Sequence, residues 1–192
     1  MNTVHLKLIF TAFLVIFMTP LSWGQEQEER ISKDDVPASA LDYLKTFPFT
    51  KKIKWYSETN GTDLSIEAKT KWNGCKYSIE FDTLGQLQDI EVTLNVKDLN
   101  LTLRDSISHY FRHSFASYSL CKIQRQYSGN PELIKTQVLN NTSNESTIIR
   151  YEIVAKVQTD KVKQLKEFLF DQNGVLLQTK VIPYRNIDNL EY

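Results

Sequence analysis

The chain has 192 residues, and its 23 Lys plus Arg match its 23 Asp plus Glu, so it carries no formal net charge. That balance removes the electrostatic attraction by which basic proteins bind nucleic acid or anionic membrane surfaces. Its cysteines, Cys75 and Cys121, are too few and too far apart for a metal knuckle.

The N-terminus reads as a secretory signal peptide. His5 and Lys7 form a weakly basic start, Leu8 to Met18 is almost wholly apolar, and Pro20 breaks the run. Ser22-Trp23-Gly24 then offers small residues at the two positions a signal peptidase reads. The apolar run is shorter than the ~20 residues of a membrane span. Residues 1–24 are therefore expected to be cleaved, with a retained anchor as the alternative. The mature chain of about 165 residues is expected to be periplasmic or secreted, with no later membrane segment. Export makes a Cys75–Cys121 disulfide chemically possible, and two buried thiols are the alternative. Residues 25–35 are polar and read as a flexible leader.

Helical spacing follows at Ala40, Leu41, Tyr43, Leu44 and Phe47, with Pro37 suited to the first turn and Pro48 as a stop. Strand alternation comes next. A short strand is expected around Ile53 to Glu58, then Leu64, Ile66, Ala68, Thr70 and Trp72 alternate with polar residues. Asn60-Gly61 and Asn73-Gly74 mark tight turns. Tyr77 to Val92 predicts a β-hairpin turning at Asp82-Thr83-Leu84-Gly85. The same events then recur. Leu103, Ile107, Tyr110, Phe111 and Phe115 make a second helical stripe, with Thr102 as its expected N-cap. Strands are expected around Leu120 to Tyr127 and from Ile149 to Val157. Lys166 to Val181 aligns without a gap on Tyr77 to Val92, so that Phe81, Asp82, Gly85, Leu87 and Val92 fall on Phe170, Asp171, Gly174, Leu176 and Val181.

This pattern predicts an α+β chain of two tandem repeats, each one helix on a four-stranded antiparallel sheet. The first spans residues 36–98 and the second 99–183. The second holds an inserted loop at 130–146, read as exposed for want of apolar periodicity, and 184–192 forms a tail. Val36-Pro37, the first helix, Phe47-Pro48, a strand with Trp55, and Phe81-Asp82-Thr83-Leu84-Gly85 together resemble the PepSY-like, or β-lactamase-inhibitor-like, proteins exported by Bacteroidota. The second repeat departs from that pattern: Arg104 stands where a proline is expected, and residues 124–126 offer no tryptophan. The resemblance implies a repeated helix-on-sheet fold and a role in restraining other proteins, by analogy of fold and not by any transferred site.

No catalytic constellation stands out. Asp105, His109 and His113 share a helical face at i, i+4 and i+8 and are the candidate metal ligands. The run His-Tyr-Phe-Arg-His lacks the glutamate of a zinc protease, and Arg112 would repel a cation nearby. Asp82 and Asp171 are explained as turn formers. The lysines at 51, 52 and 54 read as a solvated strand edge. Trp55, Tyr56, Trp72 and Tyr127 are candidate partner-contact residues, because aromatics often anchor interfaces, with core packing as the alternative. In the second repeat, Leu165 and Leu169 oppose Phe168 and Phe170, so both sheet faces carry apolar residues and the second must be covered. The expected function is a non-enzymatic, cofactor-free exported binding module, an inhibitor-like partner of another envelope protein or hydrolase. The alternative is a periplasmic small-ligand or metal-ion binder.

Overall fold

The computed structural model describes residues 27–182 apart from 141, 143 and 144. The signal-peptide reading and the tail 184–192 lie outside the described residues. Nine strands form one antiparallel sheet in which each pairs with the next in chain order. They are β1 (Gln27–Ile31), β2 (Lys54–Asn60), β3 (Asp63–Trp72), β4 (Cys75–Asp82), β5 (Leu87–Thr93), β6 (Ser117–Ser128), β7 (Ile148–Thr159), β8 (Val162–Asp171) and β9 (Leu176–Ile182). Three helices are interspersed: α1 (Ala38–Lys45), α2 (Leu101–Ser114) and α3 (Pro131–Asn140). Among the described residues, no helix is long and apolar enough to cross a membrane.

The expected pair of helix-on-four-strand repeats is therefore corrected to one nine-stranded sheet with three helices. The physical reason is the pairing of β5 with β6, from Asp89 opposite Ser128 to Thr93 opposite Gln124. Two separate sheets would each leave an edge of unpaired backbone groups there, and joining them satisfies both. Two further expectations are revised. Gln27–Ile31, read as leader, pairs with β2 along its whole length, Ile31 lying opposite Trp55. The loop expected at 130–146 contains α3, whose start is fixed by Asn130: its Oδ1 accepts from the backbone N–H of Glu132 at 3.0 Å and of Leu133 at 3.3 Å. Pro131 fits the first turn, where a missing N–H costs nothing. The N-cap of α2 is Asn100, not Thr102; its Oδ1 accepts from Leu103 N–H at 2.9 Å.

All three helices pack on one face of the sheet. Ala40 and Leu44 of α1 and Ile134 of α3 lie in a core with Trp55, Ile66, Ala68, Tyr77, Ile79, Phe81, Ile90, Val92 and Tyr127. Leu103, Ile107 and Phe111 of α2 lie in a second core with Ile123, Tyr151, Ile153, Phe168 and Phe170. The strand residues in both cores share one parity, since Ile90 is register partner of Tyr127 and Ile123 of Ile153. Phe81, Phe111, Phe168 and Phe170 are fully buried, and burial of such a side chain is worth roughly 1.5–3 kcal/mol.

The two aligned hairpins fold identically and lock onto helix starts. Asp82 Oδ1 accepts from Leu84 and Gln86 N–H at 2.9 and 2.8 Å, and Asp171 Oδ1 from Asn173 and Val175 N–H at 2.9 and 2.8 Å. Gly85 (φ +77°) sits against Ser39, Pro37 and Ala40 of the α1 start, and Gly174 (φ +81°) against Ser106 and Leu103 of α2. A Cβ on Gly85 would lie 2.8 Å from Pro37 Cβ, whereas one on Gly61 (φ +66°) would meet nothing within 4 Å. Gly61→Ala, which meets only the backbone strain, is expected to cost about 1 kcal/mol. Gly85→Ala and Gly174→Ala add a steric clash and are expected to cost about 3 kcal/mol. Urea unfolding of the three variants checks the contrast, and equal losses at all three would remove the close-approach argument.

Candidate functional site

The face of the sheet without helices is the candidate site. Strand parity assigns to it Glu28 and Arg30 of β1, Lys54, Tyr56 and Glu58 of β2, Glu67 and Lys69 of β3, and Ser78 and Glu80 of β4. Asp89 and Glu91 of β5, Gln124 and Gln126 of β6, and Arg150 and Glu152 of β7 continue it. It is polar yet tightly packed: Glu67, Lys69, Ser78, Asp89 and Gln124 are all buried. Buried polar groups are ordinarily satisfied by hydrogen bonds. Here the Lys69 ammonium lies 2.8 Å from Glu28 Oε2 and 2.9 Å from Glu67 Oε2, and 5.0 Å from the centre of the Tyr56 ring. Ser78 Oγ donates to Glu67 Oε1. Gln126 Nε2 donates to Asp89 Oδ2 at 3.1 Å, and Lys122 pairs with Glu152 at 3.5 Å. Three buried acceptors or hydroxyls on this face, Asp89 Oδ1, Gln124 Oε1 and Ser128 Oγ, have no hydrogen-bond partner among the described residues.

At the β7–β9 end the same face carries an apolar island of Val154, Leu165 and Ile182, the first two only 1% exposed. This is the second apolar face expected from Leu165 and Val154; Leu176 instead packs with Phe168 and Phe170 on the helix side.

The expected site residues separate. Trp55 and Tyr127 are buried on the helix side, 5% and 6% exposed, in the first core. Trp72 is half-buried on that same side, against Phe49 and Tyr77. Tyr56 alone of the four faces the helix-free side. Asp105, His109 and His113 all project from α2, but not as a ligand set. The two imidazoles lie against each other with centres 3.9 Å apart, His113 Nδ1 donates to the His109 carbonyl at 2.8 Å, and Asp105 sits 3.8 Å from Arg104. Among the described residues, the three-donor group close enough to hold one ion is instead Glu28, Glu58 and Glu67, within 4.8 Å of one another. The Lys69 ammonium sits beside two of the three, so this cluster already holds its cation. Cys75 is half-buried, Cys121 exposed at the β6 bulge, and both are free thiols.

Burial, and then the charges of Glu80, Glu152 and Glu67, hold the Asp89 carboxyl well above the usual carboxylate range. Burial, and then Glu152 and Asp89, does the same to Glu91. Burial also raises Glu67, against the opposing pull of Lys69. A carboxyl whose pKa is raised on folding keeps a proton that the unfolded chain releases. Its stabilising contribution is therefore complete below the unfolded pKa and is lost as pH rises through the folded value. The chain is expected to be more stable at pH 5 than at pH 8. Asp89→Asn should raise stability at pH 8 by about 1–2 kcal/mol and narrow that difference. Thermal unfolding at the two pH values checks this; an equal loss at both would contradict it.

No protein-family model matches the chain, and no curated protein matches it. Among solved structures, it is similar to a DUF2874 family protein from Bacteroides ovatus ATCC 8483, with TM-score 0.49 and 16% identity, covering 76% of this chain and 87% of that one. It is also similar to a BLIP-like protein from Bacteroides fragilis NCTC 9343, with TM-score 0.49 and 19% identity, covering 77% of this chain and 86% of that one.

Proposed function

We propose that the protein is a non-enzymatic, exported binding module that engages another envelope or secreted protein through the helix-free face of its sheet. The observation that carries this reading is the asymmetry of the sheet. All three α-helices of the described chain pack on one face, while the other has no described α-helix over it and presents Tyr56, Gln126, Arg150 and Lys156 at its surface. Protein–protein contacts are enriched in tyrosine and arginine within a polar, solvent-accessible rim, and Tyr56 and Arg150 on this face are of those types.

The dimensions suit that role. Nine strands at their usual spacing span about 38 Å, and a seven-residue strand is about 23 Å long, giving a face of roughly 900 Å². A standard protein interface uses about 800 Å² per partner. Tyr56, on this face, supplies an amphipathic ring at low entropic cost. Restraint of a hydrolase is the form of binding to test first once a partner is in hand.

A photo-crosslinking residue at Lys156, which is exposed on the helix-free face opposite Leu165, tests the reading against one at Arg112, exposed on α2. In solubilised envelope of the source cell, the Lys156 variant is expected to give one saturable protein adduct and the Arg112 variant none. Adducts from Arg112 alone, or equally from both, would overturn it.

A further inference from the structure

Among the described residues the sheet has two outer strands, β1 and β9, and every other strand is paired on both sides. An outer strand presents a row of unpaired backbone N–H and C=O groups, and proteins ordinarily blunt such an edge with charge or proline. β1 is blunted in this way: Glu28, Glu29 and Arg30 fill three of its five positions. β9 is not. Its seven residues, Leu-Leu-Gln-Thr-Lys-Val-Ile, hold one charge and no proline. Leu177 is 51% exposed and Val181 54%, and Thr179 between them is exposed as well. Aliphatic side chains left in water on an open edge add nothing to the chain's own core and make that edge adhesive.

We propose that the β9 edge is a self-association surface whose occupant is the β9 of a second copy, paired antiparallel about a two-fold axis at Thr179. The strand is self-complementary in character. With Thr179 opposite Thr179, Gln178 stands opposite Lys180 and Leu177 opposite Val181. Polar residues meet polar, apolar meet apolar, and no like charges face each other. Thr–Thr and aliphatic cross-strand pairs of this kind stabilise a sheet. The same operation applied to β1 sets Glu29 against Glu29, so β1 repels its own copy. A two-fold contact also closes on itself, whereas β9 joined to the β1 of another copy would continue into a filament. The seam extends the sheet across two chains and leaves both helix-free faces open. It therefore goes beyond the docking reading, and it would present that face twice on one particle. A seam of one short strand is smaller than a standard interface, so a dissociation constant of roughly tens of micromolar is expected.

Sedimentation equilibrium of residues 25–192, from about 1 to about 300 µM, reads the association. A monomer–dimer equilibrium is expected. Thr179→Lys and Thr179→Glu each set like charges face to face at the axis, and each alone is expected to weaken the dimer by about tenfold. An equimolar mixture of the two should dimerise as the unaltered protein does, because the introduced charges then attract, and this also shows that both variants fold. Glu29→Lys, which changes the other edge, should leave association unchanged. A protein that stays monomeric at the highest concentration would overturn the proposal. So would a Thr179→Lys variant that dimerises as before, or a mixture that stays monomeric. Species that grow beyond the dimer with concentration, and that Glu29→Lys alters, would mean pairing of β9 with β1 and would overturn the two-fold seam. The Lys156 crosslink tests the docking face separately, and its result does not depend on the seam.

Discussion

The pairing of β5 with β6 is the constraint on which the rest of this molecule depends. Five register pairs join the two strands, and Leu94 N–H extends the contact by donating to the Ile123 carbonyl at 2.8 Å. Everything before this seam builds one hydrophobic core and everything after it builds another, yet each half reaches into its neighbour. Tyr127 of β6 and Ile134 of α3 are buried in the first core, and Leu94 and Ile149 touch both. The Tyr43 hydroxyl on α1 donates to the Pro131 carbonyl at 2.9 Å, pinning the start of α3 to the first half. Burial of that hydroxyl raises its pKa well beyond the ordinary phenol value, with Glu132 adding to the effect. Arg125 lies at the junction itself, its Nη1 donating to Tyr127 at 3.2 Å and its guanidinium 5.6 Å from the Tyr151 ring centre.

A meander with all its helices on one side divides labour between its two faces. The helix side takes the aromatic load: Phe111 packs against Phe168 at 4.8 Å and Tyr118 at 5.0 Å, and Tyr110 against Phe170 at 5.5 Å. Such pairs contribute beyond the area they bury. That leaves the other face to polar chemistry over most of its width. Charged groups there are crowded by register, so burial and mutual repulsion raise the carboxyls near the centre, while lysines gather at one end of β2, β3 and β4. A sheet optimised for stability alone would not place Asp89 beside Glu80. Functional surfaces commonly retain local conflicts of this kind.

Much of the local structure is legible in the sequence, and the reasons are specific. Asp82 to Gly85 and Asp171 to Gly174 announce their turns because only an acceptor side chain followed by a residue tolerant of positive φ closes them. The stripes from Ala40 to Phe47 and from Leu103 to Phe115 announce helices by period. β1 escaped because Gln-Glu-Glu-Arg-Ile has no apolar alternation; an edge strand buries little on either face, so little hydrophobicity marks it. α3 was signalled by Asn130-Pro131-Glu132, an N-cap followed by a first-turn proline, and was obscured by the polar stretch after it. The site itself was the least legible part. Trp55 and Tyr56 are adjacent in sequence and point to opposite faces, so composition cannot say which meets a partner. The carboxylates of β3, β4, β5 and β7 converge only through strand order, a long-range property that no local spacing encodes. The same long-range pairing of β5 with β6 turned two expected sheets into one.

Native-state hydrogen exchange across the seam, followed in low urea, tests the central claim most directly. If the nine strands are one cooperative sheet, the slowest amides of β3–β5 and of β6–β8 will open with the same free energy and the same urea dependence. Two distinct opening free energies, with the β5 and β6 amides exchanging well before either set, would mean two independent units in contact and would contradict the account.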